Sequence, residues 1–593
     1  MTESTLSIAA RFRSWPPGRD PWGRSSRARR GSLLLASRLG STAALVSLLL
    51  ACDRTPEPPQ PPPPVAAGPT AEGTSVAEGL SAEMPAPEPI LTEPPLPESD
   101  EPPPPHPGPW FWVTRSSAGI YTEPRAAREV KLGYVKNGGK LPVLAEKVEG
   151  KDCSKGWYQI VGGGFICAVV GTTDENHRDV KFAPRQPNLD DILPYQYARN
   201  AHHGTPLYRS LPSRAQMLEY EPYLRKGKEA SSPKKTETKD AETKLVSTNP
   251  TAPPPQGAKT ASVAAPTELD GLLLSEPEPP PEPQPWWQQE NIKDRLHEIK
   301  LDELESEADG VLAKRMVRGF YVAVDNTFNW GGRSWYKTTK GLLAPTERFW
   351  RAPGSEFKGV EIDGENWKLP VAWVNGTRKS SATYVIDEET QTVTSKGSLK
   401  RFQIVQLTGK EIELRNHTYH ETADGTWVRG DTVRRTTPGE RPADVGEHER
   451  WIDLDVGQQT LVAFQGDRPV YATLMSSGRE SRIKAKDHRT PRGAWRVREK
   501  HITGTMDGDG SAAGDLPYSI EDVPYVMYYE GSYAVHAAFW HENYGVQMSH
   551  GCVNLSPLDA KHLFFWADPQ IPPGWHGMWS DAEHPGTMIV AHD

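Results

Sequence analysis

The sequence predicts a multidomain, mainly β protein whose folded parts are separated by proline-rich linkers. Two observations support this prediction. Short apolar runs alternate with Gly-containing turns through most of the chain, which is typical of strands rather than helices. The 57 prolines among 593 residues are concentrated in particular stretches, and only 36% of the residues are hydrophobic. Much of the chain is therefore predicted to lie outside any folded core.

The first 52 residues have the pattern of a secretory signal. An Arg-rich stretch over residues 24–38 precedes an apolar run over residues 41–51 that is too short to span a bilayer comfortably. The run ends in Leu49-Leu50-Ala51-Cys52, which resembles a lipoprotein box. We therefore interpret residues 1–52 as a lipoprotein signal peptide with Cys52 as the lipidated residue. An ordinary signal peptide with an incidental cysteine is the alternative.

Two proline-rich stretches are predicted to be disordered linkers. Residues 53–109 are rich in Pro, Glu and Ala, and residues 226–285 have a similar character. Neither stretch has enough apolar surface to offset the chain entropy lost on folding. The first would tether the folded part to the lipid anchor. The formal net charge of −9 is spread along a long chain, so no nucleic-acid partner is expected.

Residues 110–172 are predicted to form a small β-barrel because short apolar runs are separated by turns. The pattern resembles bacterial SH3-type modules, which often contact the cell wall, and a structural spacer explains it equally well. Cys153 and Cys167 flank a Gly-rich turn between two of the runs, so we expect a disulfide across adjacent strands after export. Residues 173–225 are interpreted as a connecting segment.

Residues 286–448 are interpreted as a β-rich accessory region. Helical spacing with charged faces predicts a helix over Leu296–Glu307, and apolar runs predict strands over residues 319–324 and 402–407. The stretch 425–431 again suggests a small β-module. Its aromatic side chains could stack on sugar rings, although such residues more often form a core.

Residues 449–593 are predicted to form a mostly β C-terminal domain. Three successive apolar runs indicate strands, and Gly466-Asp467 would form the turn of a hairpin between the last two. Later runs place His536 at the end of a strand. The sequence Ser556-Pro557-Leu558-Asp559 combines a cap residue, a proline at the first helical position and an acid in the first turn, which predicts a helix through about Trp566.

The segment Ser549-His550-Gly551-Cys552 concentrates chemistry within four residues. The chain has four cysteines; with Cys52 lipidated and two others paired, Cys552 is an unpaired thiol in an exported protein, either buried and inert or reactive. A cysteine after glycine can be presented on a sharp turn, with the Gly551 and Cys552 N–H groups facing a developing oxyanion. We expect the neighbouring imidazoles to lower the pKa of Cys552.

The hairpin, the Thr490-Pro491-x-Gly493 segment and the final His536…Ser549-His550-Gly551-Cys552-Val553-Asn554 resemble the YkuD-type L,D-transpeptidase catalytic domain, a β-sandwich. The resemblance implies that Cys552 is the nucleophile and that His536 is the base, oriented by a backbone carbonyl such as that of Ala537. Residues implied at the substrate and oxyanion sites are His550, Gly551, Ser549, Tyr518 and Asn554. Ala537 stands where the family usually has Gly, which bears on loop geometry rather than on the chemistry.

The same resemblance implies a peptidoglycan enzyme at the periplasmic face of the cell envelope. It would form an acyl-enzyme with a stem tetrapeptide, release D-alanine and transfer the acyl group to an amine. No cofactor is implied and no metal site is predicted, because residues 505–510 lack the later ligands of a calcium loop and are interpreted as a flap. The alternatives are a hydrolase of the same fold and a noncatalytic wall-binding lipoprotein, against which an intact Cys552 and His536 argue.

Overall fold

The computed structural model of the protein describes residues 108–225, 284–306, 310–375, 378–509 and 516–593. The predicted signal peptide with Cys52 and almost all of both predicted linkers lie outside the described residues. The described chain is mainly β, as predicted, and its strands fall into three small modules and a C-terminal domain. None of the described helices is both long and apolar enough to cross a membrane.

The first module is an open arrangement of antiparallel strands. Its strands are β1 Trp110–Val113, β2 Ser117–Tyr121, β3 Lys131–Lys136, β4 Lys140–Val148, β5 Trp157–Ile160, β6 Phe165–Cys167 and β7 Gly171–Thr172. They pair in the order β7-β1-β4-β5-β6-β2-β3. A disulfide joins Cys153, before β5, to Cys167 on β6. The predicted small barrel does not close, because the outer edge of β3 pairs with a strand of the C-terminal domain.

The second module combines strands from the predicted connecting segment with strands from the accessory region. After the short helix α1 Arg178–Lys181, its elements are β8 Gln196–Asn200, β9 Thr205–Tyr208, α2 Arg214–Tyr220, α3 Ile292–Arg295, β10 Leu312–Met316, β11 Tyr321–Trp330, β12 Arg333–Thr338, β13 Leu343–Pro345 and β14 Phe349–Arg351. β8 pairs with β11 and β14, and β9 pairs with β10 and β13. The two regions therefore fold as one unit.

The helix predicted over Leu296–Glu307 is wrong. The described residues of this segment form two 3-10 turns, Leu296–Glu298 and Asp302–Leu304, instead of a continuous helix. Leu296, Ile299 and Leu304 all bury their side chains in the core of the second module. The bends between the turns let these three residues reach one core, so tertiary packing overrides the helical spacing.

The third module follows β15 Val360–Glu361. Its strands are β16 Val371–Val374, β17 Ser380–Asp387, β18 Thr392–Lys400, β19 Ile404–Leu414, β20 His417–Thr422, β21 Trp427–Arg429 and β22 Val433–Arg435. All three modules end in the same succession: two strands joined by a Gly-containing turn, a 3-10 turn, and a last strand that pairs with the module's first strand. The 3-10 turns are Ala168–Val170, Thr346–Arg348 and Gly430–Thr432. The accessory part is thus an internal structural repeat.

The C-terminal domain packs two sheets and a helix around one apolar core. Its elements are β23 Arg450–Asp455, β24 Thr460–Gln465, β25 Arg468–Leu474, β26 Gly493–Arg496, β27 Glu499–Gly508, β28 Tyr518–Glu530, β29 Tyr533–Ala537, β30 Val553–Leu555, α4 Pro557–Trp566, β31 Gly577–Trp579 and β32 Met588–His592. One sheet has the order β15-β25-β24-β23-β32-β26, and β27 to β31 belong to the other. The core contains residues from both sheets and from α4.

Two local predictions for this domain are confirmed. The predicted hairpin joins β24 to β25, with Gln465 opposite Arg468 on either side of Gly466-Asp467. The predicted helix begins at Pro557, and the Ser556 Oγ accepts a hydrogen bond from the Asp559 N–H at 3.1 Å. Both features depend on residues close together in the sequence, which is why the pattern was sufficient to find them.

All three modules are packed directly on the C-terminal domain. Trp575 and Met578 of that domain complete the core of the first module. β11 of the second module pairs with β28, and Trp373 of the third shares a core with Trp451. The accessory modules are therefore in a position to contribute to a site on the domain.

Asp522 connects the first two modules to the C-terminal domain. Its buried carboxylate accepts hydrogen bonds from Lys136 of the first module at 2.7 Å, Thr339 of the second at 2.5 Å, and Thr503 of its own domain at 2.9 Å. Burial alone would raise the pKa of Asp522, but the Lys136 ammonium and the hydroxyl donors hold that pKa well below its usual range. One carboxylate therefore joins three parts of the chain.

Candidate active site

The parallel pairing of β29 with β30 makes Cys552 and His536 neighbours. His536 lies opposite Asn554 in this pairing. Cys552 immediately precedes β30 and stands two residues before Asn554, so strand alternation places it on the same side as His536. Backbone register thus puts Cys552 and His536 in diagonal positions on the same face of two adjacent strands.

The Cys552 thiol is free and partly buried. Its Sγ lies 3.7 Å from the Ser532 carbonyl oxygen, to which the thiol donates. Burial raises the pKa of Cys552 to about 11, and a backbone hydrogen bond from Ala534 opposes this only in part. The expectation of a lowered pKa is therefore wrong for the resting site, because burial disfavours the thiolate more than the Ala534 hydrogen bond stabilises it.

His536 is almost completely buried at 3% exposure. Its Nδ1 lies 3.2 Å from the Ala537 carbonyl oxygen, the partner predicted from the sequence. A carbonyl can only accept, so Nδ1 carries the proton and Nε2 keeps its lone pair. Burial lowers the pKa of His536 to about 4, although the Ala537 carbonyl opposes the change. The ring is therefore a neutral base, and the Trp540 ring lies 5.7 Å from it.

The turn before Cys552 is held by side-chain hydrogen bonds. Gly551 has a φ of +122°, and a Cβ added there would lie 2.3 Å from the Tyr533 ring, so glycine is required. The Gly551 N–H donates to Ser549 Oγ at 3.0 Å, and Ser549 Oγ donates to the Cys552 carbonyl at 2.5 Å. The prediction that the Gly551 N–H faces an oxyanion is therefore wrong. No hydrogen bond within the described ranges engages the Cys552 N–H, so this group is available to donate to a bound oxygen.

His550 is exposed, and its ring lies against the rings of Tyr518 and His488 beside the turn. Its ring stacks on Tyr518 with the centroids 5.4 Å apart, and the His488 ring lies 4.7 Å away. Arg479 Nη2 lies 3.5 Å from His550 Nε2. His550 and Tyr518 are thus paired with each other at the rim of the site, where a substrate can contact them.

Asn554 contacts His541, a histidine to which the sequence assigned no role. Its side chain is buried, and its amide lies 2.9 Å from His541 Nε2. The Asn543 N–H donates to His541 Nδ1 at 3.2 Å. Burial lowers the pKa of His541 to about 4, so this ring is also neutral. No local pattern marks His541, because the contact depends on the fold of the loop after β29.

The second module supplies part of the apolar wall around Cys552. Cys552 and Trp540 pack against a cluster that includes Tyr197 and Tyr321 of that module. The Tyr321 ring lies 6.5 Å from the Trp540 ring. Sequence analysis missed this contribution, because these residues lie more than two hundred positions before Cys552. The burial that raises the pKa of Cys552 is therefore partly due to the second module.

The acidic segment that ends β27 is attached to the second module. Asp509 accepts a hydrogen bond from the Leu301 N–H at 2.9 Å, and Met506 packs against the cluster that contacts Cys552. Within the described parts of the chain, no group of three His, Cys, Asp or Glu side chains is placed to hold a metal ion.

Comparison with protein-family models gives a match over the residues that build this site. Residues 449–590 match YkuD, the L,D-transpeptidase catalytic domain. The YkuD domain thus includes Cys552, His536 and every other residue predicted at the substrate and oxyanion sites. The three modules precede the matched residues.

Solved structures similar to the chain include several L,D-transpeptidases. The Ldtfm–avibactam carbamoyl enzyme is 22% identical over 24% of this chain, with a TM-score of 0.19, and the chain spans 49% of its length. The catalytic domain of an E. faecium L,D-transpeptidase is also 22% identical over 24% of this chain, with a TM-score of 0.19, and the match covers 98% of that domain. L,D-transpeptidase 3 from Mycobacterium tuberculosis is 17% identical over 32% of the chain and 79% of its own, with a TM-score of 0.19. No curated protein sequence matches the chain.

Proposed function

We propose that the YkuD domain is a peptidoglycan L,D-transpeptidase that uses Cys552 as nucleophile and His536 as general base. The orientation of the His536 ring is the observation that carries the proposal. Because the Ala537 carbonyl binds Nδ1–H, the basic Nε2 is left for the thiol on the neighbouring strand end. This arrangement lies within the residues that match the family model.

In the proposed first step, a stem tetrapeptide binds with the carbonyl of its third residue against Cys552. His536 Nε2 takes the thiol proton while the sulfur bonds to the carbonyl carbon. The Cys552 N–H stabilises the negative charge that develops on the carbonyl oxygen. The bond to the terminal D-alanine then breaks, and its amine leaves with the proton from His536. A thioester remains on Cys552.

In the proposed second step, an acceptor amine attacks the thioester. The amine loses a proton to His536, a new amide bond forms, and the bond to sulfur breaks. The imidazolium returns its proton to the sulfur, which restores the neutral pair. The amide is a wall cross-link or a protein attachment, according to which amine attacks.

Mass spectrometry of stem tetrapeptide fragments incubated with the full chain tests this function. We expect release of D-alanine together with cross-linked dimers. If the only products are monomers that have lost D-alanine, the enzyme is a carboxypeptidase and not a transferase. If the fragments are unchanged, the proposal of catalysis is overturned.

Two variants test the assigned roles. Cys552→Ala should abolish D-alanine release, and His536→Asn should lower its rate by about 10²- to 10⁴-fold. His584→Asn is a matched control, because His584 is an exposed histidine of the same domain that contacts Asp581. Circular dichroism establishes that each variant is folded. Unchanged release in folded Cys552→Ala would remove the nucleophile assignment.

We further propose that the protein is exported and held at the periplasmic face of the envelope by a lipid on Cys52. The apolar run that ends at this cysteine supports the proposal. The disulfide between Cys153 and Cys167 agrees with an oxidising compartment. Labelled palmitate should enter the wild-type protein and be absent from Cys52→Ala, which should leave the membrane fraction. A wild-type protein without label would contradict the anchor.

A further inference from the structure

One face of the second module's sheet presents a row of side chains that is linked to the proposed base through Trp540. Arg199 on β8 lies opposite both Tyr321 on β11 and Trp350 on β14, so these side chains lie side by side on one face. The Tyr321 ring is 6.5 Å from the Trp540 ring, which is 5.7 Å from the His536 ring. The row therefore leads from His536 across the module to Trp350, whose side chain is 53% exposed.

Arg199 is the charged member of this row. Its Nε is buried without a hydrogen-bond partner, and no carboxylate of the described chain pairs with its guanidinium. Its Cζ lies 5.9 Å from the Trp350 ring centroid, within the range of a cation–π contact. A Cβ added to Gly319 would meet only Arg199 Nη2, at the ordinary contact distance of 3.8 Å, so the region of the described chain beside the guanidinium is open.

A buried guanidinium donor without an acceptor is costly, unless a ligand supplies the missing group. The planar fork of an arginine matches a carboxylate, which it can bind through two parallel hydrogen bonds. Burial raises the pKa of Tyr321, and the nearby Arg199 charge opposes that change, which agrees with a guanidinium close to the Tyr321 hydroxyl. The chemistry of the row is therefore that of a carboxylate subsite between two aromatic rings.

We propose that Arg199, supported by Trp350, binds an acidic side chain of the stem peptide whose reacting carbonyl lies at Cys552. This inference rests on the proposed function and adds a specificity residue from outside the YkuD domain. Neighbouring strands lie about 5 Å apart, and an extended peptide advances about 3.5 Å per residue. The line from His536 through Trp540 and Tyr321 to Arg199 gives the direction in which the stem peptide would extend from the scissile bond.

Steady-state D-alanine release from a stem tetrapeptide tests the subsite in the full chain. Arg199→Ala should raise KM by about 10- to 100-fold with little change in kcat, since a hydrogen bond to a charged group is removed. Arg351→Ala is the matched control: Arg351 is the next residue after Trp350 on the same strand, and strand alternation turns its side chain to the opposite face. Its KM should stay at the wild-type value.

A second substrate separates lost recognition from a disturbed fold. When the side-chain carboxylates of the tetrapeptide are amidated, wild type and Arg199→Ala should have the same raised KM. A KM for Arg199→Ala that equals wild type on the unmodified peptide would overturn the subsite. If Arg199→Ala raised KM by the same factor on both peptides, or lowered kcat alone, Arg199 would have a structural role. Either result would also overturn the subsite.

Binding measured without turnover distinguishes failure of the subsite from failure of the proposed function. In a Cys552→Ala background, calorimetry with the unmodified tetrapeptide should show a Kd that Arg199→Ala raises by about 10- to 100-fold. If the wild-type chain releases no D-alanine but this difference persists, the catalytic proposal fails and the subsite stands. If D-alanine is released and the Kd does not change, the subsite fails and the function stands.

Discussion

The resting pair of Cys552 and His536 is expected to be neutral, with the proton on sulfur. Burial raises the pKa of Cys552 to about 11 and lowers the pKa of His536 to about 4. Moving the proton from thiol to imidazole therefore costs roughly 10 kcal/mol, because the two pKa values differ by about 7 and each unit corresponds to about 1.4 kcal/mol. Two unit charges about 4 Å apart attract by only about 4 kcal/mol at an effective dielectric constant of 20. The neutral pair is therefore favoured by several kcal/mol.

Alkylation by iodoacetamide measures the ionised fraction of Cys552, because the thiolate is the reacting species. With a pKa of about 11, about one thiol in 10⁴ is ionised at pH 7, and this fraction rises tenfold with each pH unit up to about pH 10. The assay follows alkylation of the Cys552 peptide by mass spectrometry after exposure of the intact chain to reagent between pH 5 and 10. A plot of the logarithm of the alkylation rate against pH should be linear with a slope of one.

The matched variant for this assay is His536→Asn. A neutral imidazole contributes no charge to the thiolate, so the variant should show the same slope as wild type. A plateau of rapid alkylation between pH 5 and 8 in wild type, absent from His536→Asn, would refute the reasoning. That outcome would mean that the two residues form a thiolate–imidazolium ion pair in the resting enzyme.

Three further perturbations follow from the fold and the site. Gly551→Ala should abolish D-alanine release and lower the melting temperature, because an alanine there is strained by about 1–3 kcal/mol and collides with Tyr533. Burial lowers the pKa of Lys500 from 10.5 to about 7, so folding releases the Lys500 proton at pH values between these two. The free energy of unfolding of the wild-type protein should therefore rise with pH in this window. Denaturant titrations measure this rise, and in Lys500→Met the free energy of unfolding should not change with pH there. Asp522→Asn should lower the free energy of unfolding by about 3–5 kcal/mol through loss of the buried pair with Lys136, and an unchanged denaturation midpoint would contradict this role.

Local features of the fold followed from the sequence, and features that join distant segments did not. The β24–β25 hairpin and the Ser556 cap of α4 involve neighbouring residues, so turn and cap preferences were sufficient. The helix over Leu296–Glu307 failed because the core of the second module required bends there. The barrel of residues 110–172 failed because β31, far along the chain, occupies the edge of β3.

In the candidate site, too, some features could be predicted from the sequence and others depend on the fold. The segment around Cys552 indicated a free thiol, which the structure has, and the Ala537 carbonyl predicted as the partner of His536 lies 3.2 Å from its Nδ1. The hydrogen bond from the Gly551 N–H to Ser549 was not foreseen, since the turn has several possible internal partners. The contact of His541 with Asn554 could not be foreseen, because it depends on how a loop returns to β30.

The sequence by itself determined which groups are available for chemistry: a lone thiol after glycine, and a histidine at the end of a strand. Only the tertiary structure decided their protonation and surroundings. The second module packs against the YkuD domain in a cluster that includes Cys552, and its Tyr321 lies next to Trp540, which contacts the His536 ring. Burial and strand register depend on residues hundreds of positions apart, and the free energy of a charge depends on that burial. For this reason the same cysteine that suggests a reactive thiolate is a neutral thiol at rest.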